Sequence, residues 1–193
     1  MTFSTFLTTV ATVSLVAWTG PASAKTKEVK AMNPHGEFIR FVIMHADPKR
    51  GAVNGAFTKF RQVSGKVDLK RLSRSKATFE VDITSVKTGI GKRDGHLKSA
   101  DFFDAAKWAR ATIAVDRVRK TKRGHKARVT LTIRTVKKSF DADFSIVKEI
   151  KGGVLIEGTT SVNRRHYNVG AEPAKTGAAE DAKIHVRLAV MSK

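Results

Sequence analysis

The stretch "FDADFSI", Phe140 to Ile146, alternates apolar and polar side chains at every position. Successive side chains of a β-strand point to opposite faces, so a period of two places the apolar residues together on one face. The polar face of this stretch carries two aspartates and a serine, which suit contact with water. The pattern therefore predicts a β-strand with one dry face and one wet face.

The same period continues on both sides of this stretch. Short alternating runs occupy residues 39–43, 79–83, 129–133 and 184–190, with turn-forming residues around Pro48, Gly124 and Gly152 between them. Strands of this kind, separated by breakers, are typical of antiparallel hairpins. With about eight such strands, the chain is predicted to be all-β, either a sandwich or a closed barrel.

The first residues differ in composition from the rest. A mostly apolar run from Phe6 to Trp18 is followed by Ala22 and Ala24 in an A-x-A arrangement. This predicts a secretory signal peptide over residues 1–24, cleaved after Ala24, because a run of about 13 residues is shorter than the about 20 that span a bilayer. The alternatives are a retained anchor or a core segment. We expect a basic linker over residues 25–36, a barrel domain over 37–193, and a periplasmic or secreted location.

The chain is strongly basic and has no cysteine. It contains 37 Lys+Arg and 17 Asp+Glu, a formal net charge of +20, and every one of these residues follows the predicted signal peptide. Such a charge either keeps the surface soluble by repulsion or attracts anionic lipid head groups, pyrophosphates or nucleic acid. Dedicated nucleic-acid binding is not expected, because single-strand binders need exposed aromatic platforms and the phenylalanines here fall mainly on the dry face.

The stretch "KRDGHLKSADFFD", residues 92–104, interrupts the strand pattern. Leu97, Ala100 and Phe103 recur at helical spacing, so we predict one or two helical turns from Arg93 to Asp104, capped by Asp94. The apolar side chains Leu97, Phe102 and Phe103 would face the dry interior.

The same stretch holds the one sequence cluster with the chemistry of metal ligands, His96 with Asp94, Asp101 and Asp104. Capping of turns and pairing with nearby Lys and Arg is the favoured interpretation of these acids, so no metal or cofactor is predicted. Phosphate-loop, nucleophile-elbow and zinc-protease motifs are absent from the sequence, and without cysteine there is no thiol chemistry. A non-enzymatic protein is predicted.

A longer motif points to a family. "SVKTGIGKRDGHLKSADFFDAAKW", residues 85–108, resembles the signature of the YceI-like family, S-x-x-T-G followed by R-D-x-H-L-x-S-x-D-F-F-D. "NRRHYNVG", residues 163–170, and His45 also match family positions, although His166 stands where the family has an acid and Ala109 where it has a proline.

The resemblance implies an eight-stranded antiparallel lipocalin-like barrel with a short helical insert between strands. Its lumen would bind a long isoprenoid, such as a polyprenyl chain or an isoprenoid quinone, or a similar amphipathic lipid. The family is typically periplasmic or secreted, and the resemblance allows a homodimer.

Pattern and resemblance together predict a carrier whose lumen is lined by fifteen residues: Ile39, Phe41, Ile43, Phe79, Val81, Ile83, Leu97, Phe102, Phe103, Ile113, Val115, Leu131, Ile133, Phe144 and Val186. The lipid head group would lie near His45, Arg93, His96 or Arg164, since arginine suits phosphate through its fork of donors. The alternatives are plain core packing for the lining residues and an ion pair of Arg93 with Asp94 or Asp101. The alternative function is a stress-responsive envelope protein that docks on anionic surfaces through its basic exterior, with a packed barrel.

Overall fold

The computed structural model describes residues 34–171 and 173–192. The predicted signal peptide, 1–24, and most of the predicted linker lie outside the described residues. Ten strands follow: β1 Phe38–His45, β2 Ala52–Phe57, β3 Phe60–Lys66, β4 Lys76–Asp82, β5 Val86–Lys87, β6 Arg110–Thr121, β7 Gly124–Ile133, β8 Val136–Ile150, β9 Gly153–Asn163 and β10 Ala178–Met191. Two helices, α1 Gly91–Lys98 and the single turn α2 Pro173–Thr176, accompany four short 3-10 turns at Pro48–Arg50, Leu72–Arg74, Ile83–Ser85 and Arg164–Tyr167.

All ten strands belong to one antiparallel sheet, in the order β3-β4-β6-β7-β8-β9-β10-β1-β2-β5. The predicted fold class, an antiparallel lipocalin-like barrel, is confirmed, whereas the strand count is higher than eight. The difference has a simple cause. β2 and β3 are halves of one segment interrupted at Thr58 and Lys59, pairing with β1 and β4 respectively, and β5 has two residues. The continuous segment β2–β3 thus links the two ends of the curled sheet covalently, with β2 beside β1 at one end and β3 beside β4 at the other.

The alternation seen in the sequence is the alternation of burial in the sheet. In β8, Phe140 and Ile146 are half-buried while Asp141 and Asp143 are exposed. The densest packing lies on the inner face of β4, where Phe79, Val81 and the following Ile83 are almost fully buried. Removal of this apolar surface from water, worth about 25 cal/mol per Å², stabilises the barrel.

The connections divide between the two ends of the barrel because the strands alternate in direction. The β1–β2 connection, the long β5–β6 connection with α1, the β7–β8 turn and the β9–β10 connection lie at one end, which we call the helix end. The β3–β4, β6–β7 and β8–β9 connections lie at the other end. In the part of the chain that the structure describes, no helix is long and apolar enough to cross a membrane.

The helical insert is shorter than predicted, and its cap differs. α1 ends at Lys98 and gives way to tight turns, in which the Phe102 amide donates to the Ser99 carbonyl. Asp94 is not the N-cap but lies buried in the first turn. Its Oδ1 accepts hydrogen bonds from the Thr88 amide at 2.8 Å and the Thr88 hydroxyl at 2.6 Å. The assignment of Asp94 as a cap was therefore wrong, because the N-cap position is Ile90 and the hydrogen-bond partner of Asp94, Thr88, lies three positions before the helix begins.

A glutamine side chain bridges β3 and β10 at the end opposite α1. Phe38, the first residue of β1, lies opposite Arg187 of β10. The residues of β10 that follow Arg187 therefore extend past the start of β1. The Gln62 amide nitrogen donates to the Met191 carbonyl at 2.6 Å, and the Gln62 amide oxygen accepts from the Met191 amide at 2.8 Å. Gly65 permits this close approach, since a Cβ there would overlap both the Gln62 amide and the Met191 carbonyl. The side-chain amide of Gln62 thus takes the place of a neighbouring peptide group.

Candidate functional site

A cavity of about 400 Å³ lies inside the barrel at the helix end. Its walls are mostly aliphatic and aromatic side chains from β1, β4, β6, β7 and β10, and α1 covers one side. Eleven of the predicted lumen residues line it: Ile39, Phe41, Ile43, Val81, Ile83, Leu97, Phe102, Phe103, Ile113, Leu131 and Ile133. The barrel is therefore hollow at this end.

Four predicted lumen residues lie elsewhere. Phe79, Val115 and Phe144 line a separate apolar cavity of about 50 Å³ at the other end, and Val186 lines neither cavity but packs against the core. A period of two assigns a side chain to the inner face but says nothing about its depth along the barrel. The lumen is thus divided in two, and the ligand contacts of the lining residues remain a prediction.

Several lining residues escaped the sequence analysis. Phe57, Ala111, Val162, Val169, Ala182 and Ile184 all contribute to the large cavity. Ile184 belongs to the alternating run 184–190, so the sequence pattern could have identified it as a lining residue. The pattern could not identify Ala182, a small residue in a charged strand, or Val169, a residue in an irregular connection, because neither belongs to a periodic run.

The polar residues that line the large cavity are cationic or neutral. They are Arg40, His45, Arg93, His96, Arg164 and Thr176, and no aspartate or glutamate is among the described residues of its wall. All four residues predicted to lie near a head group are thus at this cavity. An apolar interior with cations and without carboxylates favours an elongated apolar molecule with an acceptor-rich or anionic end.

The Arg93 guanidinium uses only some of its N–H donors within the described protein. Its Nε donates to the Thr88 hydroxyl at 2.8 Å and its Nη2 to the Thr88 carbonyl at 2.9 Å. The alternative of a direct ion pair is wrong, because within the described residues Arg93 bonds to Thr88 and neither Asp94 nor Asp101 pairs with it. Thr88 and Asp94 fix the guanidinium from one side and leave Nη1 for another acceptor.

Arg164 has no donor left. The side chain is 6% exposed, and all five N–H groups are used. Nε donates to the carbonyl of Ala179, Nη1 to the carbonyls of Val169 and Ala171, and Nη2 to the carbonyl of Ala178 and the hydroxyl of Thr176, at distances from 2.8 to 3.1 Å. Burial, followed by the charge of neighbouring Arg165, lowers the pKa of the Arg164 guanidinium. Arg164 therefore organises the β9–β10 connection and cannot also bind a head group.

The two histidines differ in setting. His45 Nδ1 accepts a hydrogen bond from the Asp47 amide at 3.0 Å, and Gly177, in the left-handed region at φ +67°, leaves the space into which the His45 ring fits. Nε2 of the same ring lies 3.4 Å from Nη1 of Arg50. His96 is exposed, lies edge-on against Phe102 at 4.9 Å and has Nε2 3.4 Å from the Asp101 carboxylate.

The acids of the sequence cluster are separated in the fold. Asp94 bonds to Thr88, and the Asp104 carboxylate lies 3.8 Å from both Lys107 and Arg134. Across residues 34–171 and 173–192 no group of three or more His, Asp or Glu side chains is arranged to hold a metal ion.

Comparison with known proteins agrees with the motif. The chain matches the sequence model of the YceI-like domain over residues 31–190. A UPF0312 protein of Staphylococcus aureus strain MSSA476 is 32% identical over 144 residues, covering 70% of this chain and 79% of that protein.

Solved structures share the fold. Burkholderia cenocepacia BcnA superposes with a TM-score of 0.68 at 22% identity, covering 80% of this chain and 96% of that one. A polyisoprenoid binding domain from Saccharophagus degradans, implicated in plant cell wall breakdown, gives a TM-score of 0.60 at 15% identity, covering 81% of this chain and 94% of that one.

Proposed function

From the premise that this chain belongs to the YceI-like family, we propose that it is a non-enzymatic carrier of an amphipathic isoprenoid. The observation that carries the proposal is the apolar cavity of about 400 Å³ whose wall holds cations and no described carboxylate. Small-molecule sites have volumes of about 300–1,000 Å³, and burial of a hydrocarbon chain contributes about 25 cal/mol per Å².

An isoprenoid is preferred over a straight acyl chain for two reasons. The wall is rich in branched and aromatic side chains, including Ile39, Phe41 and Ile133, which pack against a methyl-branched chain from several directions. The structural neighbour from Saccharophagus degradans is described as a polyisoprenoid binding domain. That likeness supports the proposal.

Arg93 is the residue we assign to the head group. It lies on α1 at the cavity with Nη1 available, whereas the guanidinium of Arg164 is saturated by the β9–β10 connection. A phosphate, or the carbonyl of a quinone ring, would accept from Arg93 while the chain enters the barrel. Hydrogen bonds to a charged partner contribute about 1.5–3 kcal/mol.

The variant Arg93→Met tests the head-group role. Affinity for a short polyprenyl phosphate is expected to fall about 10- to 100-fold, and affinity for the matching alcohol much less, because the loss is that of charged hydrogen bonds. Isothermal calorimetry with both ligands gives the comparison. Lys92→Met is the matched control, since Lys92 is the exposed neighbour of Arg93 on the same helix. Equal losses for phosphate and alcohol would mean that Arg93 only positions α1.

The carrier proposal itself is tested on the protein purified gently from its own cells. Native mass spectrometry, then organic extraction, should find an isoprenoid in stoichiometric amount. A ligand-free protein that also fails to take up added polyprenyl lipid at high salt would contradict the carrier. Binding that vanishes at high salt would favour the alternative, an envelope protein that docks by charge, because exposed attraction is screened and apolar burial is not.

Export is the second part of the proposal. It rests on the sequence of residues 1–24 alone. N-terminal sequencing of the protein from its natural host should begin at Lys25, in a periplasmic or culture fraction. A chain that starts at Met1 and fractionates with the cytoplasm would overturn it.

A further inference from the structure

Lysines and arginines greatly outnumber acids at the end of the barrel opposite α1. Three segments meet there, 66–76 of the β3–β4 hairpin, 117–126 of the β6–β7 hairpin and 148–151 before the β8–β9 turn; we call them the basic end. The first contains five Lys/Arg and one Asp, the second six Lys/Arg and no acid, and the third two Lys and one Glu. The α1 segment, 82–110, by contrast balances six Lys/Arg with four Asp.

The three segments form one surface. The wall of the second cavity combines Leu72 and Lys76 of the first segment with Val118 of the second, and Ile146, two residues before the third segment, also lines it. The 3-10 turn Leu72–Arg74 also packs directly on β6. Positive charges that are far apart in sequence are therefore neighbours on the outside of the molecule.

Most of these cations have no ion-pair partner among the residues that the structure describes. Lys126 and Arg119 pair with Asp143 and Asp141. The other eleven Lys and Arg side chains of the basic end are exposed and make no ion pair within the described residues; they are Lys66, Lys70, Arg71, Arg74, Lys76, Arg117, Lys120, Lys122, Arg123, Lys148 and Lys151. The one aspartate of segment 66–76 is occupied locally, because its carboxylate accepts from the amides of Lys70 and Arg71.

One strand pair keeps like charges face to face. Lys66 of β3 lies directly opposite Lys76 of β4 in the antiparallel register. Like charges in that position destabilise a sheet. The repulsion between these two lysines is relieved when an anionic surface lies against them.

Exposed aliphatic side chains lie among the cations. Leu69, in the β3–β4 connection, is 45% exposed, and Val147, one residue before Lys148, is 50% exposed. The basic end carries no exposed aromatic side chain in the described chain that could stack on a base. Cations interspersed with aliphatics suit the boundary of head groups and acyl chains, while nucleic acid would gain nothing from the aliphatics.

We propose that the basic end docks on the surface of an anionic phospholipid bilayer. Each Lys or Arg near such a surface adds to the attraction, and Leu69 and Val147 would enter the head-group layer. Since the basic end lies opposite the helix end, the docked protein holds its large cavity away from that bilayer. The ligand would then be exchanged with the aqueous side or with a facing membrane, whichever lipid the cavity carries.

Vesicle co-sedimentation of the purified protein tests the docking. Vesicles of phosphatidylglycerol with phosphatidylcholine are compared with pure phosphatidylcholine. The basic-end variant is Lys70→Glu, Arg71→Glu, Lys122→Glu and Arg123→Glu. Its matched control reverses four exposed lysines near the helix end, Lys49→Glu, Lys87→Glu, Lys137→Glu and Lys138→Glu. Both variants change the net charge equally, so only the location differs.

The basic-end variant is expected to bind the anionic vesicles at least about 100-fold more weakly, because each Lys or Arg near the surface contributes about fivefold. The control should lose far less. Equal loss in the two variants would overturn the proposal, since net charge alone would then explain binding. A second variant, Leu69→Ser with Val147→Ser, tests the aliphatic contribution. If the protein binds duplex DNA as tightly as vesicles, and if this variant binds both as well as the unchanged protein does, the proposal is overturned in favour of nucleic acid.

The orientation has a probe within the protein. Trp108, partly exposed, follows α1 at the helix end. In the protein that begins at Lys25 it is the remaining tryptophan of the two in the sequence. Its fluorescence should not be quenched by brominated lipids in vesicles to which the protein is bound. Quenching of Trp108 would place the helix end on the membrane and contradict the inferred orientation.

Discussion

Replacement of Arg164 by leucine is expected to lower the free energy of unfolding by at least about 3 kcal/mol, because a buried residue that satisfies several acceptors leaves them unpaired when it is removed. Four of its five hydrogen bonds go to backbone carbonyls of the β9–β10 connection and the start of β10. That connection has little regular structure of its own, so these carbonyls depend on the guanidinium. Urea unfolding of the ligand-free protein gives the measurement.

The neighbouring arginine provides the control for this experiment. Arg165 is half-buried, and its side chain donates one hydrogen bond, from Nη1 to the Gly170 carbonyl at 3.0 Å. Arg165→Leu removes the same charge and the same side-chain length, and should cost no more than about 1.5 kcal/mol, the value of a single hydrogen bond. Equal losses from the two substitutions would show that the Arg164 hydrogen-bond network is not what holds the connection.

Filling the large cavity should abolish most of the ligand affinity. Leu131 of β7 lines the cavity, and Leu131→Trp places an indole in space that a hydrocarbon chain would occupy. A ligand that loses about 110 Å² of burial loses about 2.7 kcal/mol, or about 100-fold in affinity, at about 25 cal/mol per Å². The unfolding free energy should change little, since the indole enters an existing cavity instead of displacing packed side chains.

Thr132→Trp is the matched control. Thr132 adjoins Leu131 on the same strand and points to the outer face, where it lies opposite Lys137 of β8. Titration of both variants with a fluorescent polyprenyl analogue would separate a filled cavity from a general effect of tryptophan on β7. Unchanged affinity in a folded Leu131→Trp protein would mean that the ligand binds somewhere other than this cavity.

The sequence predicted where strands lie and which side chains face inward, but not how far along the barrel axis each side chain lies. The alternation in residues 140–146 and 184–190 identifies two strands of the sheet and the sides that face inward. It does not reveal that Phe144 lies at the small cavity while Leu131 lies at the large one. Depth depends on register and on where each strand begins, and these are fixed by pairing between distant segments.

The candidate site shows the same division. His45, Arg93, His96 and Arg164 all line the large cavity, but residue type alone did not distinguish their roles. Arg164 is saturated by backbone carbonyls, which leave no signature in a sequence, whereas Arg93 is held by Thr88 and retains donors. Hydrogen-bond satisfaction of a charged group is a property of the folded connection.

The bridge between Gln62 and Met191 has a consequence for contacts between molecules. A strand end with unpaired peptide groups is a template on which another chain can add. Both peptide groups of Met191 that would serve this purpose are occupied by the Gln62 side chain. The carboxyl-terminal end of β10 is thereby shielded, at Met191, from the addition of a strand of another molecule.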